Sequence, residues 1–333
     1  MPRPVTIFTG QWADLPFEDV CEKAGAWGYD GLEIACWGDH MDVRKAAADP
    51  AYVARQEAHP REARPQVLGP RRPPRRAVRR RRVRPAPRRF RPRRRQGQAR
   101  GHPQAWAIDE MKAAARAARA MGCYVVTGFM GSPIWKYLVL VSPRRPRRWS
   151  RPASSEIREL WSPDPRRVRR QQAVKFALEV HPTEIAFDVY TTRRLLDTFN
   201  GRLALGFNFD PSHLVWQGIE PHLFIRDFAD RIYHVHMKDV AVTLDGRAGI
   251  LGSHLPFGDT APRLELPLAR PRRRRLRRRS SASSTPIGYD GPLSVEWEDN
   301  AMDREFGAQE ALEFVRQMNF APSKVAFDKD MKK

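Results

Sequence analysis

Apolar residues recur along the chain in two alternating rhythms. "PVTIFTG" (4–10) is short, apolar and β-branched, as a buried strand is. "PFEDVCEKAGAWG" (16–28) sets Phe17, Val20, Ala24 and Trp27 at helical spacing and stops at glycine. "DGLEIACWG" (30–38) reads as a second strand, and "DVRKAAADPAYVARQEA" starts a helix that dissolves into Arg and Pro. "AIDEMKAAARAARAMG" (107–122) is a helix and "CYVVTGFMG" (123–131) a strand. The pattern resumes with a strand in "AVKFALEVHP" (173–182), then the helix "TRRLLDTFN" (192–200) and the strand "LALGFNFDPSH" (203–213). The helix "PHLFIRDFAD" (221–230) and the strand "RIYHVHMKD" (231–239) follow, and "GPLSVEWED" (291–299) with "REFGAQEALEFVRQM" (304–318) closes the series.

Strands alternating with helices, at about 30 residues per unit, predict a parallel sheet. Seven strands are legible, and the place of a third one, near residues 65–75, is taken by Arg and Pro. The expected architecture is α/β, a (β/α)8 TIM barrel spanning 1–333 as one domain. Arg/Pro-rich segments at 60–104, 143–170 and 261–286 are expected to be disordered, with the third strand missing and helices lost in the later two. A doubly wound sheet is the alternative. No GxGxxG follows the first strand and no GxxxxGK[ST] occurs, so the phosphate cradles of dinucleotide and P-loop proteins are lacking.

Charge changes this picture less than its size suggests. The formal net charge is +22 over 333 residues. Residues 60–101 alone hold eighteen Arg and eight Pro, with no Lys and one Glu. Outside four Arg/Pro clusters, at 60–101, 143–151, 163–170 and 262–279, about 24 basic residues face about 35 acidic ones, so the remaining chain is acidic. The basicity belongs to tracts and not to one face of a folded domain. Their composition switches within a few residues, as out-of-frame translation of a G+C-rich gene would produce. Peptide mass spectrometry of the natural protein tests that hypothesis, and intact Arg-rich peptides from cells would sink it. Cys21, Cys36 and Cys123 form no CxxC pair, which argues against a disulfide framework or a Cys-rich zinc module. The start lacks a charged-then-apolar leader, and no apolar run reaches the ~18–20 residues of a membrane span, so a cytoplasmic location is expected.

Potential metal ligands stand at the ends of four successive strands. They are Glu179, then Asp210 with His213, then His234 and His236, then Glu296 and Glu298. Barrel enzymes build their active sites at this end of the strands. A lone Asp or His at a strand end is ordinarily structural; four in series argue for a site. Two Glu, one Asp and one His suit a divalent ion, with open positions for substrate oxygens. Such an ion acidifies the carbon between a carbonyl and an adjacent hydroxyl, and Glu179 and Glu296 are placed to take and return its proton.

The strings "EVHPTEIAFD", "FNFDPSHLVWQG", "YHVHMKDVAVTLDGRAGILGSHL" and "GYDGPLSVEWEDNAMDREFG" resemble the sugar phosphate isomerase/epimerase family. Its members have the xylose-isomerase-like TIM barrel. The opening "TIFTGQWADLPFEDVCEKAGAWGYDGLEIACWGDH" is similar too, and the resemblance covers roughly two thirds of the chain. It implies Glu179, Asp210, His236 and Glu296 as metal ligands and Glu179 with Glu296 as the acid/base pair. It also implies His213 near substrate, with His181, Glu184 and Lys238 as substrate-binding neighbours and Asp239 nearby. The implied cofactor is Mn2+, with Mg2+, Co2+ or Zn2+ as alternatives. The implied substrate is a keto sugar, inosose or related polyol. No membrane and no specific nucleic acid are expected as partners, and a homo-oligomer is compatible with the family.

His234 and His236 share a strand, and only one is expected at the depth of the cluster. The HxKD match favours His236, leaving His234 to support it or face outward. Glu298 is a reserve ligand. Glu33, His40, Trp37 and Trp216 are read as structural first. The competing function is a DNA phosphodiesterase, because the same superfamily includes apurinic endonucleases with three zinc ions. Those need a His ending the fourth strand and an Asp-x-His after the seventh; here "VVTGFMGS" and "HVHMKD" supply neither. A non-catalytic, Arg-rich interaction protein is the third reading, which a metal titration separates from both enzymes.

Overall fold

The computed structural model describes residues 2–62, 82–85, 103–132, 158, 174–242, 264–265, 288–299 and 302–320. Eight parallel strands form a ring: β1 (Val5–Phe8), β2 (Gly31–Cys36), β3 (Arg82–Pro85), β4 (Val125–Gly128), β5 (Lys175–Glu179), β6 (Leu205–Phe209), β7 (Ile232–Met237) and β8 (Leu293–Val295). Each pairs with its sequence neighbour, and β1 pairs with β8 in register Val5↔Leu293 to Ile7↔Val295, which closes the barrel. The helices are α1 (Phe17–Trp27), α2 (Val43–Ala48), α3 (Pro50–Glu62), α4 (Pro103–Ala120), α5 (Val189–Thr198), α6 (Pro211–Val215), α7 (Pro221–Asp227) and α8 (Arg304–Met318). Two short antiparallel segments, Ala241–Val242 and Leu264–Glu265, form a separate ladder.

The third strand is therefore present, and the expectation that it is missing is corrected. Arg82–Pro85 pairs with Glu33 to Cys36 of β2, and Val83 aligns with Val126 of β4. Its composition hides it, because one Val between arginines carries no strand pattern. Ladder hydrogen bonds need only backbone groups, and the facing edges of β2 and β4 would otherwise lack partners. Pro85 sits at the last position of the strand. Most of the segments 60–104, 143–170 and 261–286 lies outside the described residues, as do the helices expected near 140–170 and 262–286. The single helix read from "DVRKAAADPAYVARQEA" divides into α2 and α3 at Asp49–Pro50, because the residue before proline is pushed out of the helical region.

Acidic caps fix where several helices begin. Asp42 accepts from the amides of Arg44 and Lys45, Asp303 from those of Glu305 and Phe306, and Asp188 forms a reciprocal box with Thr191. The strands sort their side chains by polarity. Phe207 packs outward against Phe224 and Phe228 at ring distances of 5.8 and 5.5 Å. Thr6, Glu33, Thr127, Asn208, His234, His236, Ser294 and Glu296 are buried, and the contacts of Glu33 with Thr127, Ser294 and both histidines cross the barrel interior. The phase on β6 is regular alternation, and β6 pairs with β5 in unbroken register with Glu179 opposite Asn208. Its pairing with β7 runs Phe207↔Ile232 and then Asn208↔His234, so Tyr233 is skipped and Asn208 aligns with an inward histidine.

Candidate metal centre

Glu179 ends β5, Asp210 follows β6, His236 lies on β7 and Glu296 follows β8. Closure of the ring brings one donor atom of each within 4.8 Å of the other three. All four side chains are buried. His236 Nδ1 lies 3.0 Å from Glu296 Oε2, 3.6 Å from Glu179 Oε2 and 3.9 Å from Asp210 Oδ2.

Asp210 shows how local structure aims one ligand atom. Its Oδ1 caps α6, accepting from Ser212 N at 2.8 Å and Ser212 Oγ at 2.6 Å. That leaves Oδ2 facing Lys238 Nζ at 3.1 Å and His213 Nε2 at 3.4 Å, with no hydrogen bond satisfying it among the described residues. A buried carboxylate oxygen of this kind, converging with two more carboxylates and an imidazole, fits a divalent cation. Buried charges ordinarily persist only when paired or when they coordinate metal.

The protein's own cations meet part of this negative charge. Lys238 Nζ contacts Glu296 Oε2 at 2.8 Å and Glu298 Oε2 at 3.3 Å, in addition to Asp210. Burial alone would lower its pKa, but Asp210, Glu296, Glu298 and Glu179 outweigh burial and hold it well above the usual lysine range. The same contest raises His236, where Glu296 and Glu33 overcome burial.

The remaining expected residues gather around the cluster. His213, one turn along α6, places Nε2 3.2 Å from Glu179 Oε1 and 3.2 Å from Lys238 Nζ. His181 lies edge-on to His213 with ring centroids 4.2 Å apart, and Phe129 stands 5.5 Å from His181. Glu184 Oε2 accepts the amides of Met130 and Gly131 at 2.8 and 2.7 Å, tying the end of β4 to the loop after β5. Burial pushes its carboxyl up to about 8, against the lowering effect of those two amides. Glu298 is half-exposed and reaches the cluster through Lys238. Trp37 packs edge-on to Phe8, and His40 is buried away from the cluster against Thr9 and Leu15.

Three residues have a larger part in this interior than their sequence positions suggested. His234 faces inward as well as His236, one layer deeper, with Nε2 2.8 Å from Glu33 Oε2. The outward option is corrected, because residues two apart on a strand share a face. Glu33 also meets His236 Nε2 at 3.0 Å, and the two imidazoles outweigh its burial to hold its carboxyl well below the usual range. Asn208 donates Nδ2 to Glu179 Oε2 at 3.1 Å and lies 3.2 Å from His236 Nδ1. An acid within an apolar strand, as in "GLEIAC", was the available signal for Glu33. For Asn208 it was the period-two alternation of "LGFNF", which sets it on the face opposite Leu205, Phe207 and Phe209.

Known proteins resemble this chain at two levels. It is 31% identical over 147 residues to the uncharacterized protein YfiH of Bacillus subtilis (strain 168), across 43% of this chain and 46% of that protein. The chain thus spans about half the length of the curated relative it matches. The fold matches the probable 3-DHS dehydratase AsbF from Bacillus anthracis with a TM-score of 0.58, at 14% identity over 94% of this chain and 98% of that one. A D-psicose 3-epimerase from Clostridium cellulolyticum H10, solved with D-tagatose, gives 0.53 at 17% identity over 95% and 99%. A xylose isomerase-like TIM barrel protein from Mycobacterium smegmatis, in complex with magnesium, gives 0.56 at 11% identity over 95% and 96%. The profile described as xylose isomerase-like TIM barrel matches residues 21–265. More than half of the sequence lies within that match, and the chain belongs to the xylose isomerase-like TIM barrel family.

Proposed function

We propose that the protein is a divalent-metal-dependent isomerase or epimerase of a keto sugar, sugar phosphate or inosose. The observation that supports this reading best is the convergence of Glu179, Asp210, His236 and Glu296 from four consecutive strands. When bound by these four residues, a divalent ion, Mn2+ first among the candidates, supplies Lewis acidity to a carbonyl and its neighbouring hydroxyl.

The chain's own groups account for the rest. Glu179 and Glu296 come from β5 and the end of β8, with β6 and β7 between them in the ring. One carboxylate takes the proton from the hydroxyl-bearing carbon next to the carbonyl, and the other, in its protonated form, delivers a proton to the carbon that receives it. Lys238 and His213 offer N–H groups to oxygens that gain negative charge. His181 and Phe129 wall the pocket, and Glu184, protonated near neutral pH, is a hydrogen-bond donor to substrate. The D-psicose 3-epimerase among the similar structures carries a name of this reaction type.

The test is to purify the chain, supply Mn2+, Mg2+, Co2+ or Zn2+, and follow epimerisation and isomerisation across a panel of ketoses, their phosphates and inososes. Metal-dependent turnover of one member, lost in Glu179→Gln and Glu296→Gln, is the expected outcome. Turnover unchanged in both variants would refute the mechanism.

A further inference from the structure

We propose that Glu33 is a positioning residue for His236, selecting which ring nitrogen faces the Glu179–Asp210–Glu296 cluster; the inference rests on the metal-binding reading above. Glu33 lies on β2, five strands round the ring from His236 on β7 in one direction and three in the other. It reaches His236 only because both side chains cross the barrel interior.

Four donors converge on its carboxylate. Thr127 Oγ1 donates to Oε1 at 2.7 Å. Ser294 Oγ donates to Oε2 at 2.7 Å. His234 Nε2 and His236 Nε2 stand 2.8 and 3.0 Å from the same Oε2. A neutral imidazole carries one N–H, and a carboxylate accepts hydrogen bonds without donating any. Glu33 therefore holds the N–H of His236 at Nε2. In the neutral ring that a metal ion would require, the lone pair is then left on Nδ1, the nitrogen that lies 3.0 Å from Glu296 and 3.6 Å from Glu179. Thr127 and Ser294 stop the carboxylate from turning, and His234 fills the layer beneath it. Partners of this kind set the tautomer and orientation of a ligating histidine and raise its basicity.

The experiment compares Zn2+ dissociation constants of the wild-type chain, Glu33→Gln and the double variant Thr127→Val/Ser294→Ala by competition with a chelating dye. Asp14→Asn, which alters an exposed acid paired with Arg304, is the control. Glu33→Gln removes the charge that holds the N–H and is expected to weaken Zn2+ binding by about 10- to 100-fold. The double variant keeps that charge, loosens its aim, and is expected to weaken binding several-fold. In 15N-histidine spectra of the Zn2+-loaded protein, His236 is expected to carry its proton on Nε2 in the wild type, with that resonance shifted in Glu33→Gln. Wild-type affinity in a folded Glu33→Gln protein overturns the inference; if that variant does not fold, wild-type affinity in the double variant does so. A wild-type chain that binds no divalent ion overturns the proposed function together with this inference. A chain that binds metal in the expected order of affinities but turns over no sugar upholds the role of Glu33 while the catalytic reading fails.

Discussion

Lys238 Nζ lies 2.8 Å from Glu296 Oε2, with both side chains buried. The lysine thus stands among the same carboxylates that are proposed to hold a divalent ion, and it supplies positive charge to them from the protein itself. Removing one partner of a buried ion pair typically costs about 3–5 kcal/mol, because the other charge is left uncompensated. Lys238→Met is expected to lower the melting temperature of the metal-free protein. The same variant is expected to gain more from added Mn2+ than the wild type does, since the ion replaces the missing charge. Thermal melts with EDTA and with Mn2+ measure both effects. Equal metal-induced shifts in the two proteins would show that Lys238 does not balance the cluster.

Glu179→Gln and Glu296→Gln preserve shape while removing the base. Each is expected to reduce turnover by at least about 100-fold, the usual scale of a positioned acid or base. A ligand is also lost in each case, so metal content is measured alongside kcat. Loss of turnover at full metal occupancy assigns the glutamate to proton transfer, and loss only through lower occupancy assigns it to binding.

Glu184 links stability to pH. Its carboxyl is raised from the ordinary 4.5 to about 8 in the folded protein, chiefly by burial. Below pH 4.5 both folded and unfolded states hold the proton. Between 4.5 and about 8 the unfolded chain releases it and the folded chain retains it, so this contribution to stability is lost as pH rises through that window. Glu184→Gln keeps a neutral, similarly shaped side chain. Its denaturant stability in EDTA is expected to fall less between pH 5 and pH 8 than that of the wild type. Parallel pH profiles would rule out a buried, protonated Glu184.

Gly206 tests the packing of β6 on β7. A Cβ there would run into the Tyr233 ring and the Arg231 carbonyl oxygen. Tyr233 is itself held, donating its hydroxyl to Leu203 O at 2.6 Å. Gly206→Ala is expected to cost about 1–3 kcal/mol by overpacking, read as a lower denaturation midpoint. An unchanged midpoint would mean that the bulge beside it relaxes freely.

Much of the barrel is legible in the order of residues alone. Short β-branched runs alternate with helical spacings, and seven of the eight strands coincide with such runs. Strand ends carry the acids and histidines that later converge, in the order Glu179, Asp210, His236, Glu296, because a parallel barrel puts every strand's C-terminal end on one face. These are local or strictly periodic properties, and a linear pattern can hold them.

What the tertiary structure decided is everything that depends on ring closure. Arg82–Pro85 becomes a strand because its neighbours need a partner for their backbone groups, although its side chains give no such signal. Asn208 stands opposite His234 because a bulge at Tyr233 shifts the pairing of β6 and β7. Glu33 lies about two hundred residues from His236 in the chain and 3.0 Å from it in space. Hydrophobic periodicity reports which face of a strand is buried, whereas a polar interior is a set of contacts across the barrel, and only closure of the barrel brings its members together.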